Sequence, residues 1–218
     1  MKQLAIFDLD ETLISIDSDH AWGQFIVDRQ LVDAHDYRKR NDAFYQQYKA
    51  GELDADAYYR FASEVLTCHS YEMLVQIRQE FVESIIAPHI LPAAMALIDY
   101  HRQQDHHLVV VTATLEFITA PIVSLLGIGD LIAPVPEVSD GQYTGNISGV
   151  PSFREGKLIR IRDWLGEQAR LLESAWFYSD SFNDLPLLEA VGYPVAVDPD
   201  SQLETVANAR GWRIISLR

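Results

Sequence analysis

A doubly wound α/β sheet carrying an inserted helical unit is the fold class that three features of this sequence predict. Short apolar runs rich in β-forming residues recur along the chain, "LAIF" near its start and "HLVVVT", "SAWFYSD" and "PVAVD" later, each bounded by polar or turn residues as buried parallel strands are. The later runs alternate with stretches of helical periodicity. A long segment between the first run and the second has helical periodicity throughout and no strand pattern.

In chain order, the first strand runs into the segment "IFDLDETL", where Asp8 and Asp10 stand one residue apart at the end of the apolar run. In an extended strand alternate residues share a face, so the two acids are expected to crowd each other where the strand leaves the core. Helical spacing then follows in Trp22, Phe25, Ile26 and Arg29, in Phe44, Tyr45 and Tyr48, in Tyr58, Phe61, Ala62, Val65 and Leu66, and in Leu74, Ile77 and Phe81, with Gly51 and Pro88 as breaks. These aromatic stripes read as the core of a small helical bundle. The chain therefore divides into an α/β core, residues 1–16 and 89–218, and a helical cap, residues 17–88.

Farther along, Asp140-Gly141 between β-prone flanks predicts a hairpin. A helix opens near Lys157, with Leu158, Ile161, Arg162 and Leu165 at helical spacing, and another over "DLPLLEAVG" is expected to end in a glycine cap at Gly192.

The 218 residues suffice for one large domain with an insertion, and 17 basic against 32 acidic residues leave a formal charge of −15. That charge argues against nucleic acid or an anionic membrane as partner, since both need basic surface. Cys68 is the single cysteine, so no internal disulfide forms, and it reads as a small buried apolar residue. The opening "MKQLAIFDLDE" resembles neither a signal peptide nor a spanning helix, and a cytoplasmic location is expected. The histidine-rich "HRQQDHH" reads as a solvated connection between helix and strand.

Ligands of open α/β sheets bind outside the carboxyl ends of the strands. Asp8 and Asp10 follow the first strand, Thr112 the second, and Asp180, Asn183 and Asp184 lie in "YSDSFNDLP" after the third. If these ends converge, two unit charges at about 4 Å and an effective dielectric near 20 repel by about 4 kcal/mol, so four carboxylates need cations or protons among them. A hard, all-oxygen set favours Mg²⁺, with Lys157 supplying further positive charge.

The ordered segments "FDLDETL", "VVVTAT", "REGK" and "SDSFNDLPLL" resemble the four motifs of the haloacid dehalogenase superfamily, in particular its phosphoserine phosphatase-like branch. That resemblance spans nearly the whole chain and implies a Rossmann-like core whose helical cap follows the first motif. It implies Asp8 as nucleophile, forming an aspartyl-phosphate, and Asp10 as acid for the leaving alcohol and then base for water. Proximity to Asp8 is expected to raise the Asp10 pKa toward neutrality. Mg²⁺ would be held by Asp8, the Asp10 carbonyl and Asp180. Thr112 and Lys157 would bind the phosphoryl oxygens, Asn183 would assist with phosphate or metal-bound water, and Asp184 would orient those waters or Lys157.

The fourth motif places Ser181 and Phe182 where the branch has small residues, and the cap start "ISIDSDHAW" offers Asp17, Asp19 and His20 where it has a glutamate. Arg154, beside Lys157, is a further candidate for phosphate or a substrate carboxylate. The implied function is a Mg²⁺-dependent phosphatase of a small phosphorylated metabolite, such as an amino acid or amino alcohol phosphate, phosphoserine and histidinol phosphate among them. Alternatives are a phosphotransferase or mutase using the same aspartyl-phosphate, and a phospho-receiver switch that holds the phosphoryl group as a signal.

Overall fold

A computed structural model describes residues 2–218. β1 (Leu4–Phe7) is buried along its length, and β2 (His107–Val111), β6 (Trp176–Ser179) and β7 (Tyr193–Val197) are the other three strands expected from the apolar runs. β3 (Asp130–Ile132) and β8 (Arg213–Ile215) are added at the edges, giving one six-stranded, all-parallel sheet in the order β3-β2-β1-β6-β7-β8. From β1 the chain builds outward to β2 and β3, then crosses back to lay β6 on the other side of β1. The strand order therefore reverses at the β1/β6 pair, and the carboxyl ends of those two strands carry Asp8 and Asp180.

Alternation along the strands supplies two core layers. Ala5, Phe7, Val110, Tyr178, Val195 and Val197 face α5 (Pro92–Gln103) and α6 (Glu116–Leu125), where Ala94, Ile98, Ile118 and Ile122 meet them. Leu4, Ile6, Val109, Val111, Phe177 and Ala196 point the other way, toward α7 (Glu155–Leu165), α8 (Leu185–Leu188) and α9 (Ser201–Arg210).

Between β1 and β2 come α1 (Ser18–Asp28), α2 (Ala34–Ala50), α3 (Ala55–Cys68) and α4 (Tyr71–Phe81). Asp17, Asp33, Asp54 and Ser70 cap them, each side-chain oxygen accepting a first-turn backbone N–H. At the far end of α2, Gly51 adopts the left-handed conformation (φ 71°) that lets its N–H return to the last turn. Trp22, Phe25 and Phe81 interlock, and Trp22 also meets Phe117 of α6 with ring centroids 6.1 Å apart. The aromatic stripes thus share one core with the sheet face beneath them.

The hairpin forms as expected: β4 (Val135–Ser139) pairs antiparallel with β5 (Gln142–Ser148) about Asp140 and Gly141, both at positive φ, and packs against α3. Three local expectations need correction. Cys68 is exposed at the end of α3. His101 is buried, bonded to the Tyr178 hydroxyl at 2.8 Å, so only part of the histidine-rich connection is solvated. The helix after Asp184 stops at Leu188, and Gly192 is no left-handed cap: a Cβ there would lie 2.1 Å from the Glu173 carbonyl oxygen, so glycine is present for close backbone approach.

Candidate active site

Asp8 directly follows β1, its N–H extending the ladder to the Tyr178 carbonyl at 2.9 Å. There the strand ends. The N–H groups of Thr12, Leu13 and Ile14 all turn back to the Leu9 carbonyl, and Glu11 has φ 55°. Asp8 and Asp10 are therefore not alternate residues of one extended strand, and each has its own set of partners.

Asp8 is held by Lys157. The ammonium, carried on the first turn of α7, donates to Asp8 Oδ1 at 2.8 Å and to Asp184 Oδ2 at 2.7 Å, with all three side chains buried. Ser179 donates to the same Asp184 oxygen at 2.7 Å. Burial alone would lower the lysine pKa, but Asp184 and Asp8 outweigh it and hold Lys157 protonated. Burial, reinforced by Asp184, raises Asp8 to about 7 against the pull of Lys157. Of the two roles expected for Asp184, orienting Lys157 is the one its contacts match.

Asp10 accepts from the Ser18 N–H at 2.7 Å and from the Thr114 hydroxyl at 2.8 Å, while the Thr112 hydroxyl lies 3.5 Å from the same oxygen as Thr114. Its pKa is raised to about 7, by burial first and the charge of Asp17 second. The direction expected from sequence holds, but the leading causes are burial and then Asp17 across the α1 entry, while the repulsion between Asp8 and Asp10 registers on Asp8. Thr112 in turn accepts from the Thr114 N–H at 3.2 Å, and its carbonyl is tied to the Ser152 hydroxyl at 2.7 Å.

Asp180 accepts from the Thr12 hydroxyl at 2.9 Å, and that hydroxyl accepts from the Asp180 N–H at 3.1 Å. Among the described residues it forms no ion pair, and burial, Asp8 and Glu11 raise its pKa well above the usual carboxylate range. One ammonium thus faces three buried carboxylates, Asp8, Asp180 and Asp184. A divalent cation fits this excess, and the donors are all oxygen. No group of three or more His, Cys, Asp or Glu side chains among the described residues is placed to hold a metal ion. Mg²⁺ needs none, because it takes one or two carboxylates and fills its remaining positions with water and phosphate oxygens.

Asn183 and Arg154 behave differently from the rest. Arg154 Nε donates to Asn183 Oδ1 at 3.1 Å, and Asn183 Nδ2 donates to the Tyr48 carbonyl at 3.1 Å. Both side chains are thus engaged at the end of α2.

Above Asp8 and Asp10 opens a cavity whose far wall is built by the helices: Asp17, Asp19, His20, Tyr45, Tyr58 and Tyr59. No lysine or arginine lines it among the described residues. Burial, then Asp19, raises Asp17 to about 7; burial raises Asp19 to about 6, partly offset by a hydrogen bond from Tyr58. His20, which stacks on Tyr45 at 4.5 Å, is pushed toward its neutral form by burial. Thr114, Thr12, Ser18 and Ser179 were not singled out from sequence. The repeated threonine of "TAT" was the one available signal, and it required knowing that the segment ends a strand beside Asp10.

The haloacid dehalogenase-like hydrolase family model matches residues 5–189, from β1 through α8. The chain belongs to this family. Within the family's reach, a histidinol-phosphatase from Neisseria meningitidis is 45% identical over 100% of both chains. A crystal structure from Bordetella pertussis superposes with TM-score 0.93 at 41% identity, covering 100% of each chain. A phosphoserine phosphatase solved as an analogue of its phospho-aspartyl intermediate shares the fold, with TM-score 0.72 at 18% identity over 100% of this chain and 94% of the other. The matched span includes the cluster at the β1/β6 switch point.

Proposed function

We propose that the protein is a Mg²⁺-dependent phosphomonoesterase that hydrolyses a small phosphorylated metabolite through an aspartyl-phosphate on Asp8. The observation that carries this reading is the buried contact between Asp8 and Lys157, placed at the strand-order reversal beside a second carboxylate, Asp10, that has a separate set of hydrogen bonds.

Lys157 holds Oδ1 of Asp8, so attack on phosphorus falls to Oδ2. As the new P–O bond forms, the ester P–O bond breaks and the proton of Asp10 passes to the leaving alkoxide. Asp10, now ionised, takes a proton from water as its oxygen attacks the aspartyl-phosphate; inorganic phosphate leaves and both carboxyls return to their starting state. An Asp10 pKa of about 7 suits both halves of this cycle. The Thr112 hydroxyl and the Lys157 ammonium bind the phosphoryl oxygens, with Asn183 at their edge. Asp8, the Asp10 carbonyl and Asp180 would hold Mg²⁺, which supplies charge neutralisation for the approach of phosphate and during transfer.

Residues 17–88 act as a cap that excludes water and bulky phosphates. The acids and aromatic rings that it places on the cavity wall, which among the described residues no arginine or lysine lines, favour an alcohol portion that carries a cation, as an amino alcohol phosphate does, over one that carries a carboxylate. The similarity to a histidinol-phosphatase supports that class. No helix among the described residues is long and apolar enough to cross a membrane.

The test is phosphate release from an aryl phosphate and from a panel of small phosphorylated metabolites, with Mg²⁺ and with chelator, by the parent and by Asp8→Asn. Activity that needs Mg²⁺ and disappears in Asp8→Asn is the expected result. An Asp8→Asn protein as active as its parent overturns the reading.

A further inference from the structure

Arg154 is the most constrained residue around the site that the chemistry above does not use. Its backbone sits at φ 51°, ψ −122°, a conformation that side chains rarely adopt and that persists only where the surroundings impose it. Those surroundings are specific. One guanidinium nitrogen donates to Asn183 Oδ1 and another to the Gly51 carbonyl, while the planar group lies 5.1 Å from the centre of the Phe153 ring. Asn183 passes the connection on, donating to the Tyr48 carbonyl. The two side chains therefore occupy carbonyls at the C-terminal end of α2, where unsatisfied acceptors and the negative end of the helix dipole favour a cation.

That helix end has two further fastenings. Lys49 pairs with Glu11 at 2.7 Å, and the Tyr48 ring packs on Phe153 with centroids 6.1 Å apart. The loop after β1, the loop before α7 and the loop after β6 thus each reach the last turn of α2. The same helix lines the cavity through Asn41, Phe44, Tyr45 and Tyr48. Lys49 and Glu11 are partly exposed, so their pair is weak; the Arg154 guanidinium makes the forked, part-buried contact.

We propose that Arg154 is a positioning residue: its guanidinium latches the C-terminal end of α2 over the phosphoryl site and, through Asn183, aligns the loop after β6, so that the latch sets which sizes of phosphate ester enter. The strained backbone directs the side chain out of the start of α7 and across to α2. A residue that merely began the helix would need neither the strain nor the fork. The activity arm of the test rests on the hydrolysis proposed above, whereas the exchange arm does not.

The experiment combines hydrogen exchange of the full chain with steady-state kinetics on a small alkyl phosphate and a bulky naphthyl phosphate, for the parent, Arg154→Lys, Arg154→Ala and Arg154→Gly. Glycine accepts the observed φ without strain and keeps the test decisive should alanine fold poorly. Expected is about tenfold faster exchange of the amides at 48–52 in Arg154→Gly, with the β1 and β6 amides unchanged. The ratio of kcat/KM for the bulky ester to that for the small one should rise about fivefold, and Arg154→Lys, which cannot fork, should fall between. Exchange and size ratio both equal to the parent's in a folded Arg154→Gly overturn the proposal, as does acceleration spread equally over the whole chain. If the parent hydrolyses neither ester, the phosphatase reading fails, and local exchange at 48–52 alone decides the latch.

Discussion

Lys157 donates to Asp8 at 2.8 Å across a fully buried contact between residues that lie on different elements, one on the first turn of α7 and the other at the end of β1. The same ammonium satisfies Asp184, so a single positive charge compensates two buried acids.

Removing that charge strands both carboxylates. Lys157→Met should cost about 3–5 kcal/mol of folding stability, the range for breaking a buried pair from one side. Adding Asp184→Asn should restore part of the loss, because the two residues share one network and their effects do not add. Urea unfolding in chelator reads both values; a Lys157→Met cost under about 1 kcal/mol would mean that solvent reaches the cluster.

In the proposed cycle Asp10 carries a proton for the leaving alkoxide, so with a pKa raised to about 7, kcat/KM for an alkyl phosphate should fall as pH rises through that value. The Thr114 hydroxyl bonds the charged form and lowers the pKa from where burial alone would set it. Thr114→Val should therefore move the descending limb to higher pH by about one unit, since a hydrogen bond to a charged group contributes about 1.5–3 kcal/mol. An aryl phosphate, whose leaving group needs less help, should show a smaller shift. Identical limbs for parent and Thr114→Val would disconnect Asp10 from the proton transfer.

Asp17 illustrates the same physics as a stability effect. Burial and Asp19 raise its folded pKa to about 7 from an ordinary value of 3.8, so the folded chain binds the extra proton. Its contribution is fully present below the unfolded value and is lost as pH rises through the folded one. Asn preserves the N-cap on the His20 N–H but carries no charge. The stability of Asp17→Asn relative to the parent should therefore climb between about pH 4 and about pH 7 and level off above, as thermal melts in chelator will read. A flat difference would place Asp17 in water.

The strands that can be read from sequence are those long enough to carry a pattern: "HLVVVT" and "PVAVD" have apolar runs whose last three strand residues are buried, whereas "DLI" and "RII" form the sheet's edges and offer only three residues each. Asp8, Asp180, Asp184 and Lys157 converge because strand ends of a parallel sheet share one rim, a property of topology that motif order carries. Thr114 and Arg154 were out of reach or misdirected for the opposite reason. Their partners, Asp10 and the carbonyl of Gly51, lie far off in the chain, and nothing local marks the contact. Gly192 shows the limit from the other side: its spacing suits a helix cap, but its requirement comes from the Glu173 carbonyl pressing on it.

Asp180 offers the sharpest test of the metal. It is buried, raised in pKa by its surroundings and without a cationic partner among the described residues, so it costs stability whenever it ionises alone. Mg²⁺ bound only to the folded chain should raise the melting temperature, with about 2.7 kcal/mol of stabilisation when its concentration is a hundred times Kd. Asp180→Asn should reverse both observations. In chelator near neutral pH the variant should melt above the parent, because the parent must either bury that charge or take up a proton on folding, and Mg²⁺ should add little, because one of two carboxylate ligands is gone. Calorimetric melts of both proteins with and without Mg²⁺ separate the cases: a parent insensitive to Mg²⁺, or an Asp180→Asn protein that gains as much from it as the parent does, would mean that the cation is not held between the ends of β1 and β6.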